Sequence, residues 1–277
     1  MQKILATDLD GTFFYPKRRF LMISNKKVKL VRRWIDEGNT LILITGRSAN
    51  SAKRVLKRIK RDVTLICCNG TYAYEHGEKI MTKPIDSKSI NEVVEVLDNK
   101  FDPVNYILFT EKHNLVMYLR RVKFFTALLY PFWSIGEVRY MEPFVISKRV
   151  FKKELASGDI YKLMVVLGLG KKSKAYSSVV CKYVHNKIPN VEASFSAGTI
   201  EITAGGRNKA LLLQEYLASK GLENEKIYVV GDSGNDIDLF KAHYENSFCM
   251  SHSQQKVKKF AKYVIDEWTD LENYIFD

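Results

Sequence analysis

The 277-residue chain has little of what specialised folds require. It contains only 4 cysteines, and none are spaced as paired metal ligands, because Cys67 and Cys68 are adjacent and Cys181 and Cys249 lie far from them. We therefore predict small buried thiols in a reducing compartment rather than disulfides or a zinc site. With 6 prolines, 46% hydrophobic residues and no internal repeat, the sequence is that of a folded chain and not of a disordered one.

Long hydrophobic runs are also missing. The most membrane-like stretch, residues 124–133, is far shorter than the roughly 20 residues that a transmembrane helix needs, and Arg120, Arg121 and Lys123 precede it. We interpret it as a buried helix that ends at Pro131, with an exposed aromatic patch for a partner as the alternative. The first residues enter a predicted strand without a charged leader, and we expect a cytoplasmic protein with no membrane partner.

Acidic residues are fewer than basic ones: 31 Asp and Glu stand against 44 Lys and Arg, a formal net charge of +13. This balance favours anionic partners. Basic clusters such as residues 17–19 and 53–61 are interpreted as solvated faces or flaps, because no recognised nucleic-acid-binding module accompanies them. We expect a small anionic substrate and no nucleic acid. The sequence contains no signal for an oligomeric state.

The segment from Ile4 to Thr12 is an apolar run that ends in Asp8 and Asp10, followed by Gly11. It predicts a buried parallel strand that presents both acids at the edge where open α/β sheets bind ligands. Two carboxylates this close repel each other unless a cation or a shared proton lies between them. The segment therefore predicts a metal site, against the alternative of ordinary Asp-Gly turn chemistry. Residues 13–21 are predicted to form a flap over this site.

Two further apolar runs end in glycine-containing turns. The strand 40–44 precedes Thr45 and Gly46 and then a helix start, an arrangement whose free backbone N–H groups can bind phosphate. The strand 63–68 precedes the turn 69–71 and a hairpin. Strands that end in this way, with helices between them, predict a parallel sheet of βαβ units.

From about residue 83 the helical and extended segments no longer follow the parallel βαβ pattern of the preceding residues, and they are typical of an α+β insert. The parallel pattern then returns with a strand at 199–202, a helix that begins near Lys209, and a strand at 226–230 followed by Gly231-Asp232-Ser233-Gly234-Asn235-Asp236. We therefore predict a core domain of residues 1–82 and 195–277, interrupted by a cap domain of residues 83–194.

The residues at these strand ends have complementary chemistry. Mg²⁺ prefers hard oxygen ligands, which Asp8 and Asp232 can supply together with a backbone carbonyl. Phosphoryl transfer needs neutralised oxygens, which Lys209, the Thr45 loop and an amide from Asn235 can provide. An Asp can itself be the nucleophile. Taken singly, each residue has a simpler explanation: a solvated lysine for Lys209, and helix capping or turn chemistry for the others.

Taken in order, segments 8–12 and 45–47, Lys209 and segment 231–236 resemble the four motifs of the haloacid dehalogenase superfamily. The long insert after the second motif, with Asn69-Gly70 ahead of it, is similar to the Cof-type phosphatases with a C2 cap, class IIB. The resemblance implies an α/β fold with a Rossmann-like parallel-sheet core and an inserted α+β cap. It also implies Mg²⁺ and hydrolysis of small phosphorylated metabolites, such as sugar phosphates or nucleotide-like esters, through an aspartyl phosphate.

The same resemblance implies a role for each motif residue. Asp8 would be the nucleophile and a metal ligand, Asp10 the acid and base with its carbonyl on the metal, and Asp232 the remaining metal ligand. Phosphoryl binding would fall to Thr45, the Gly46 amide, Lys209 and Asn235, and Asp236 would order Lys209 or a metal-bound water. Two alternatives stay open: a sugar phosphomutase, and a catalytically silent regulatory or nucleic-acid-binding protein on the same scaffold.

Overall fold

The computed structural model describes residues 2–16, 23–120, 143–157, 159–168, 171–196 and 198–276. Its strands are β1 (Lys3–Asp8), β2 (Thr40–Ile44), β3 (Thr64–Cys67), β4 (Tyr72–Glu75), β5 (Glu78–Ile80), β6 (Asn105–Thr110), β7 (Asn114–Leu119), β8 (Phe144–Ile146), β9 (Ile160–Val166), β10 (Val191–Ser196), β11 (Thr199–Ala204), β12 (Lys226–Gly231), β13 (Ser247–Met250) and β14 (Tyr263–Ile265). Its helices are α1 (Asn25–Asp36), α2 (Ala49–Ile59), α3 (Ser87–Lys100), α4 (Lys148–Ser157), α5 (Lys171–Lys187), α6 (Lys209–Ser219), α7 (Ile237–Ala242), α8 (Gln255–Lys258) and α9 (Glu272–Ile275).

The chain divides into two compact units. The first unit combines Met1–Thr82 with Asn208–Asp277, and the second is the segment Lys83–Arg207 between them. The prediction assigns residues 195–207 to the core domain, whereas the contacts of these residues place them in the second unit.

The first unit contains an eight-stranded sheet in the order β14-β13-β12-β1-β2-β3-β4-β5. Strands β14 to β3 are parallel, and β4 and β5 add an antiparallel hairpin at one edge, as the sequence predicts. Strand β1 lies between β12 and β2, with Thr7 opposite Val230 and Asp8 opposite Ile44. The carboxyl ends of these three strands therefore meet at one place, which is where ligands bind in such sheets.

Helices cover this sheet because its strands are apolar on both faces. Side chains of α6 and α7, among them Leu213 and Phe240, pack in one buried cluster with Ile42 and Val229 of the sheet. Helix α1 begins directly after Ser24, whose hydroxyl accepts a hydrogen bond from the Lys27 N–H at 3.3 Å and so caps the helix.

The second unit contains a six-stranded sheet in the order β10-β11-β9-β6-β7-β8, antiparallel except between β7 and β8. The prediction that β11 belongs to the parallel sheet is wrong, because β11 pairs in antiparallel fashion with β9 and β10. The run Thr199–Ile202 alternates between half-buried and buried residues, as in a sheet with one covered face. Helices α3, α4 and α5 contribute Leu97, Phe151 and Val184 to the buried cluster of this unit.

Other predictions have mixed outcomes. All four cysteines are buried and free, as expected. The predicted helix over residues 124–133 and the flap residues 17–21 lie outside the part of the chain that the structure describes. Within the described part, none of the helices combines the length and the hydrophobicity that crossing a membrane would require.

Candidate active site

Three buried charges meet at the carboxyl end of β1. Asp8 is the last residue of β1 and is 4% exposed, and Lys209 is 1% exposed. The Lys209 Nζ donates to Asp8 Oδ1 at 2.6 Å and to Asp236 Oδ1 at 2.7 Å. Helix α6 begins at Lys209 because Asn208 caps it, its Oδ1 accepting from the Leu211 N–H at 2.8 Å. The alternative of a solvated lysine is therefore wrong for Lys209.

Asp236 organises the loop that follows β12. Its Oδ2 accepts hydrogen bonds from the N–H groups of Asp232 and Ser233, both at 3.0 Å, while its Oδ1 accepts from Lys209. Only glycine fits at position 231, because a Cβ there would lie 2.5 Å from the Asp236 Cγ. Asp236 thus caps the short helical turn Gly234–Asp236 and orients Lys209 at the same time.

The pKa values reflect this crowding of charge. Burial raises the pKa of Asp8 well above its usual range; Lys209 opposes this shift and the Asp236 carboxylate adds to it. Burial, with a further contribution from Asp236, raises the pKa of Asp232 to about 6. Burial lowers the pKa of Lys209, but the carboxylates of Asp236 and Asp8 outweigh it and hold that pKa above its usual range. The site therefore favours additional positive charge near Asp8 and Asp232.

The donor atoms suit a small divalent cation. One carboxylate oxygen from each of Asp8, Asp232 and Asp236 lies within 4.8 Å of the other two. Because Asp236 already accepts from Lys209 and two backbone N–H groups, the side chains that would hold the cation are those of Asp8 and Asp232. The Thr12 hydroxyl donates a hydrogen bond to Asp232 Oδ1 at 2.9 Å. Carboxylate oxygens such as those of Asp8 and Asp232 are the ligands that Mg²⁺ prefers.

Gly11 brings the segment after β1 against this group. Its φ is +78°, and a Cβ at this position would lie 2.4 Å from Asp232 Oδ2. A residue with a side chain would therefore be strained in backbone conformation and would displace the Asp232 carboxylate. Gly11 thereby lets the chain turn directly after Asp8 and Asp10.

The Asp10 carboxylate is bound by a different partner. The Arg47 guanidinium donates from Nε to Asp10 Oδ2 and from a terminal nitrogen to Asp10 Oδ1, both at 2.6 Å. This is the two-pronged geometry that makes arginine–carboxylate pairs strong and directional. Arg47 is 23% exposed and Asp10 is 42% exposed at the side chain, so solvent reaches the pair. The Asp10 carboxylate is thus paired with Arg47 and is not one of the three carboxylates that lie within 4.8 Å of one another.

The remaining predicted residues lie on neighbouring loops. Thr45 is fully buried, directly after β2, and its hydroxyl accepts from the Arg47 N–H at 3.1 Å. Gly46 lies against Asn69, because a Cβ on Gly46 would be 2.9 Å from Asn69 Oδ1. Asn235 is exposed, and its side-chain amide nitrogen lies 3.5 Å from the same Asn69 oxygen. Asn69 therefore joins the loop of Gly46 to the loop of Asn235.

Some contacts at the site were not predicted. Thr12 holds Asp232, and the His252 Nε2 lies 3.9 Å from Asp232 Oδ2, with the His252 ring stacked on Tyr15 at a centroid distance of 3.9 Å. For Arg47 the available signal is its place directly after the Thr45-Gly46 turn. His252 has no such signal, because its loop follows β13, which β12 separates from β1 in the sheet.

Residues 5–272 match the haloacid dehalogenase-like hydrolase family. The chain belongs to this family. The match includes both segments of the first unit and the whole of the second, and it confirms the family resemblance of the four motifs.

Members of the family with similar sequence or structure include named phosphatases. The pyridoxal phosphate phosphatase YbhA of Escherichia coli is 23% identical over 97% of this chain and 95% of its own length. The 5-amino-6-(5-phospho-D-ribitylamino)uracil phosphatase YwtE of Bacillus subtilis is 24% identical over 86% of this chain and 84% of its own length. A solved sugar phosphatase of HAD subclass IIB has a TM-score of 0.73 at 21% identity and covers 99% of this chain and 96% of its own chain.

Proposed function

We propose that the protein is a Mg²⁺-dependent phosphatase that hydrolyses small phosphate monoesters through an aspartyl phosphate on Asp8. The main support is the contact of one buried lysine, Lys209, with the carboxylates of Asp8 and Asp236 at the sheet edge, beside Asp232. Two similar sequences are named as phosphatases of phosphate esters that contain a nitrogen heterocycle. We infer that the substrate is a phosphorylated metabolite of the sugar-phosphate or nucleotide-like class.

In the first step an Asp8 carboxylate oxygen attacks phosphorus and the bond from phosphorus to the ester oxygen breaks. Asp10 gives its proton to the departing oxygen, so that a neutral alcohol leaves. In the second step Asp10 takes a proton from water, the water oxygen attacks phosphorus, and the bond to Asp8 breaks to release inorganic phosphate. Mg²⁺, when bound by Asp8, Asp232 and the Asp10 backbone carbonyl, supplies positive charge that lets Asp8 and the phosphoryl group approach each other.

The other residues bind and orient the phosphoryl group. Lys209 is held by Asp236 and places its ammonium against Asp8, where it can neutralise both the nucleophile and a phosphoryl oxygen. The Thr45 hydroxyl, the Gly46 N–H and the Asn235 amide are the proposed donors to the other phosphoryl oxygens. Each of them follows the carboxyl end of a parallel strand, where backbone and side-chain donors converge.

Arg47 sets the starting position of the Asp10 carboxylate. Its bidentate ion pair orients the carboxylate, and Asp10 must be protonated before it can serve as an acid. We infer that Asp10 exchanges the Arg47 contact for one to the ester oxygen when substrate is bound. Arg47 is thus proposed as a positioning residue for Asp10 in its role as the acid, and it does not itself touch the reacting atoms.

The test is hydrolysis of nitrophenyl phosphate by the full chain with Mg²⁺, with EDTA, and with the variant Asp8→Asn. We expect turnover that requires Mg²⁺ and that falls by at least about 10³-fold in Asp8→Asn, because the nucleophile is lost. Asp36→Asn is the matched control, since Asp36 is an exposed acid of the same unit that pairs with Arg61 at 2.6 Å. Turnover in EDTA, or in Asp8→Asn, would contradict the proposal.

A further inference from the structure

The turn between β3 and β4 has an unusual backbone. Three consecutive residues have a positive φ: 50° at Cys68, 58° at Asn69 and 94° at Gly70. Glycine and asparagine enter this left-handed region readily, but cysteine does not, and Cys68 is also 1% exposed. Backbone of this kind persists only where the surrounding structure holds it in place.

Backbone hydrogen bonds hold the turn against the loop after β2. The Cys68 N–H donates to the Arg47 carbonyl at 2.9 Å, and the Asn69 N–H donates to the Thr45 carbonyl at 3.1 Å. Within the turn, the Thr71 hydroxyl donates to the Cys68 carbonyl at 2.6 Å. The left-handed turn and the proposed phosphate-binding loop are therefore a single hydrogen-bonded unit.

The other side of the turn contacts the start of α6. A Cβ on Gly70 would lie 2.3 Å from the carbonyl oxygen of Asn208 and 3.3 Å from the backbone nitrogen of Lys209. The backbone of the turn can approach this closely because residue 70 is a glycine. The turn thus also abuts the helix start that places Lys209 beside Asp8.

The left-handed conformation directs the Asn69 side chain between two proposed phosphate donors. Its Oδ1 lies 2.9 Å from the position of a Cβ on Gly46 and 3.5 Å from the Asn235 amide nitrogen. The Asn235 side-chain oxygen Oδ1, in turn, accepts from the Ser233 hydroxyl at 2.6 Å. An acceptor in this place fixes which way the Asn235 amide faces, since its oxygen and nitrogen each have a partner.

We propose that Asn69 is a positioning residue for phosphate binding, acting through Gly46 and Asn235. The inference rests on the proposed phosphatase function and adds a residue to that site. Asparagine meets both demands of the position, because it tolerates the left-handed backbone and provides a neutral acceptor beside an anion site. Glycine would tolerate the left-handed backbone but would provide no acceptor, and aspartate would add a negative charge. A purely structural role requires only the backbone conformation, so the Asn69→Gly variant separates that role from the proposed one.

The decisive variant is Asn69→Gly, which keeps the backbone conformation and removes the carboxamide. Binding of inorganic phosphate to the Mg²⁺-loaded protein is measured by calorimetry, alongside the KM and kcat for nitrophenyl phosphate. We expect phosphate affinity to fall and KM to rise by about tenfold, the size expected when hydrogen bonds to a charged group are misaligned. A smaller change is expected in kcat, because the donors bind the phosphoryl group in ground and transition states alike.

Two further variants complete the test. Asn114→Gly is the matched control, because Asn114, the first residue of β7, also has a left-handed backbone, with a φ of 57°; phosphate binding should not change. Asn69→Asp keeps an acceptor but repels phosphate, so its loss of affinity should shrink at high salt, whereas that of Asn69→Gly should not.

Wild-type phosphate affinity in Asn69→Gly, or an equal loss in Asn114→Gly, would overturn the inference about Asn69. A loss in Asn69→Asp that does not respond to salt would also overturn it, and this second variant gives a result even if the first does not fold. Failure of the wild-type protein to hydrolyse nitrophenyl phosphate or to bind phosphate would overturn the proposed function, and the role of Asn69 with it.

Discussion

Two buried lysines, one in each unit of the protein, are bound differently. Lys209 in the first unit is 1% exposed and contacts two carboxylates at 2.6 and 2.7 Å. Lys162 in the second unit is 2% exposed, lies 3.4 Å from Glu201 and has its Nζ 4.3 Å from the centre of the Phe109 ring. Burial of a lysine alone therefore does not distinguish the candidate active site from a charge inside a sheet.

The difference lies in where the partners come from. Lys209 begins helix α6. Its partner Asp8 is the last residue of the parallel strand β1, and its partner Asp236 lies in the loop after the parallel strand β12. Lys162 lies within β9, and Glu201 lies on the neighbouring strand β11. Cross-strand pairs of this kind stabilise a sheet, whereas groups at the carboxyl ends of parallel strands are free of the ladder and can meet a ligand.

The largest predicted effect separates the two lysines. Lys209→Met should lower kcat/KM for nitrophenyl phosphate by at least about 10³-fold, because the charge beside the nucleophile is lost. It should also lower the free energy of unfolding by about 3 kcal/mol, since two buried carboxylates lose their partner. Lys162→Met should bind inorganic phosphate within about twofold of wild type, because the mutation removes no group from the proposed phosphate site. A loss of phosphate binding in Lys162→Met as large as that in Lys209→Met would contradict the distinction between the two lysines.

A second prediction concerns the acids at the same edge. Because the pKa of Asp232 is raised from 3.8 to about 6, its ionisation opposes folding of the metal-free protein above about pH 6, and this penalty disappears as the pH falls towards the pKa of the unfolded chain. In EDTA at about pH 7.5, Asp232→Asn should increase the free energy of unfolding by about 1–3 kcal/mol, with no gain near pH 4.

The same variant should lose Mg²⁺ affinity by at least about 100-fold, measured by calorimetry, because one of the two proposed carboxylate ligands is removed. Asp36→Asn is the control, since the hydrogen bond from Arg61 lowers the pKa of Asp36, the opposite direction. An Asp232→Asn variant that is less stable than wild type in EDTA at neutral pH, or that binds Mg²⁺ normally, would contradict the predicted effect of charge crowding at Asp232.

The sequence predicts this edge because strand patterns place Asp8, Thr45 and Asp232 directly after apolar runs. Any parallel arrangement of those strands brings their ends together, whatever the details of the loops. The strand β11 could not be assigned in the same way. The short run Thr199–Ile202 suits either a parallel or an antiparallel neighbour, and the pairing with β9 and β10 depends on distant parts of the chain.

The contacts of Arg47 and Asn69 also exceed what the sequence can predict. The contact of Arg47 with Asp10 depends on the distance between the loop after β1 and the loop after β2. The contacts of Asn69 depend on three consecutive left-handed residues. The dipeptide Asn69-Gly70 does indicate a turn. It does not indicate that Cys68 joins the left-handed run, because that conformation is imposed by hydrogen bonds to the loop after β2.

The smallest predicted effect concerns the ion pair of Arg47 and Asp10, which lies at the same sheet edge as Lys209 but is open to solvent. Arg47→Lys retains the charge and loses the two-pronged contact, so the free energy of unfolding should change by less than about 1 kcal/mol. The kcat for an alkyl phosphate should fall by about tenfold, because its leaving oxygen needs a well-placed acid.

Nitrophenyl phosphate supplies the comparison for this variant, since its leaving group departs with little help from an acid. Its kcat in Arg47→Lys should fall by less than about threefold. An equal loss with both esters would mean that Arg47 acts on a step they share, such as phosphate binding or attack by water, and not through the proton that Asp10 donates. The ratio of the two kcat values therefore decides whether the exposed ion pair serves the acid or the phosphoryl group.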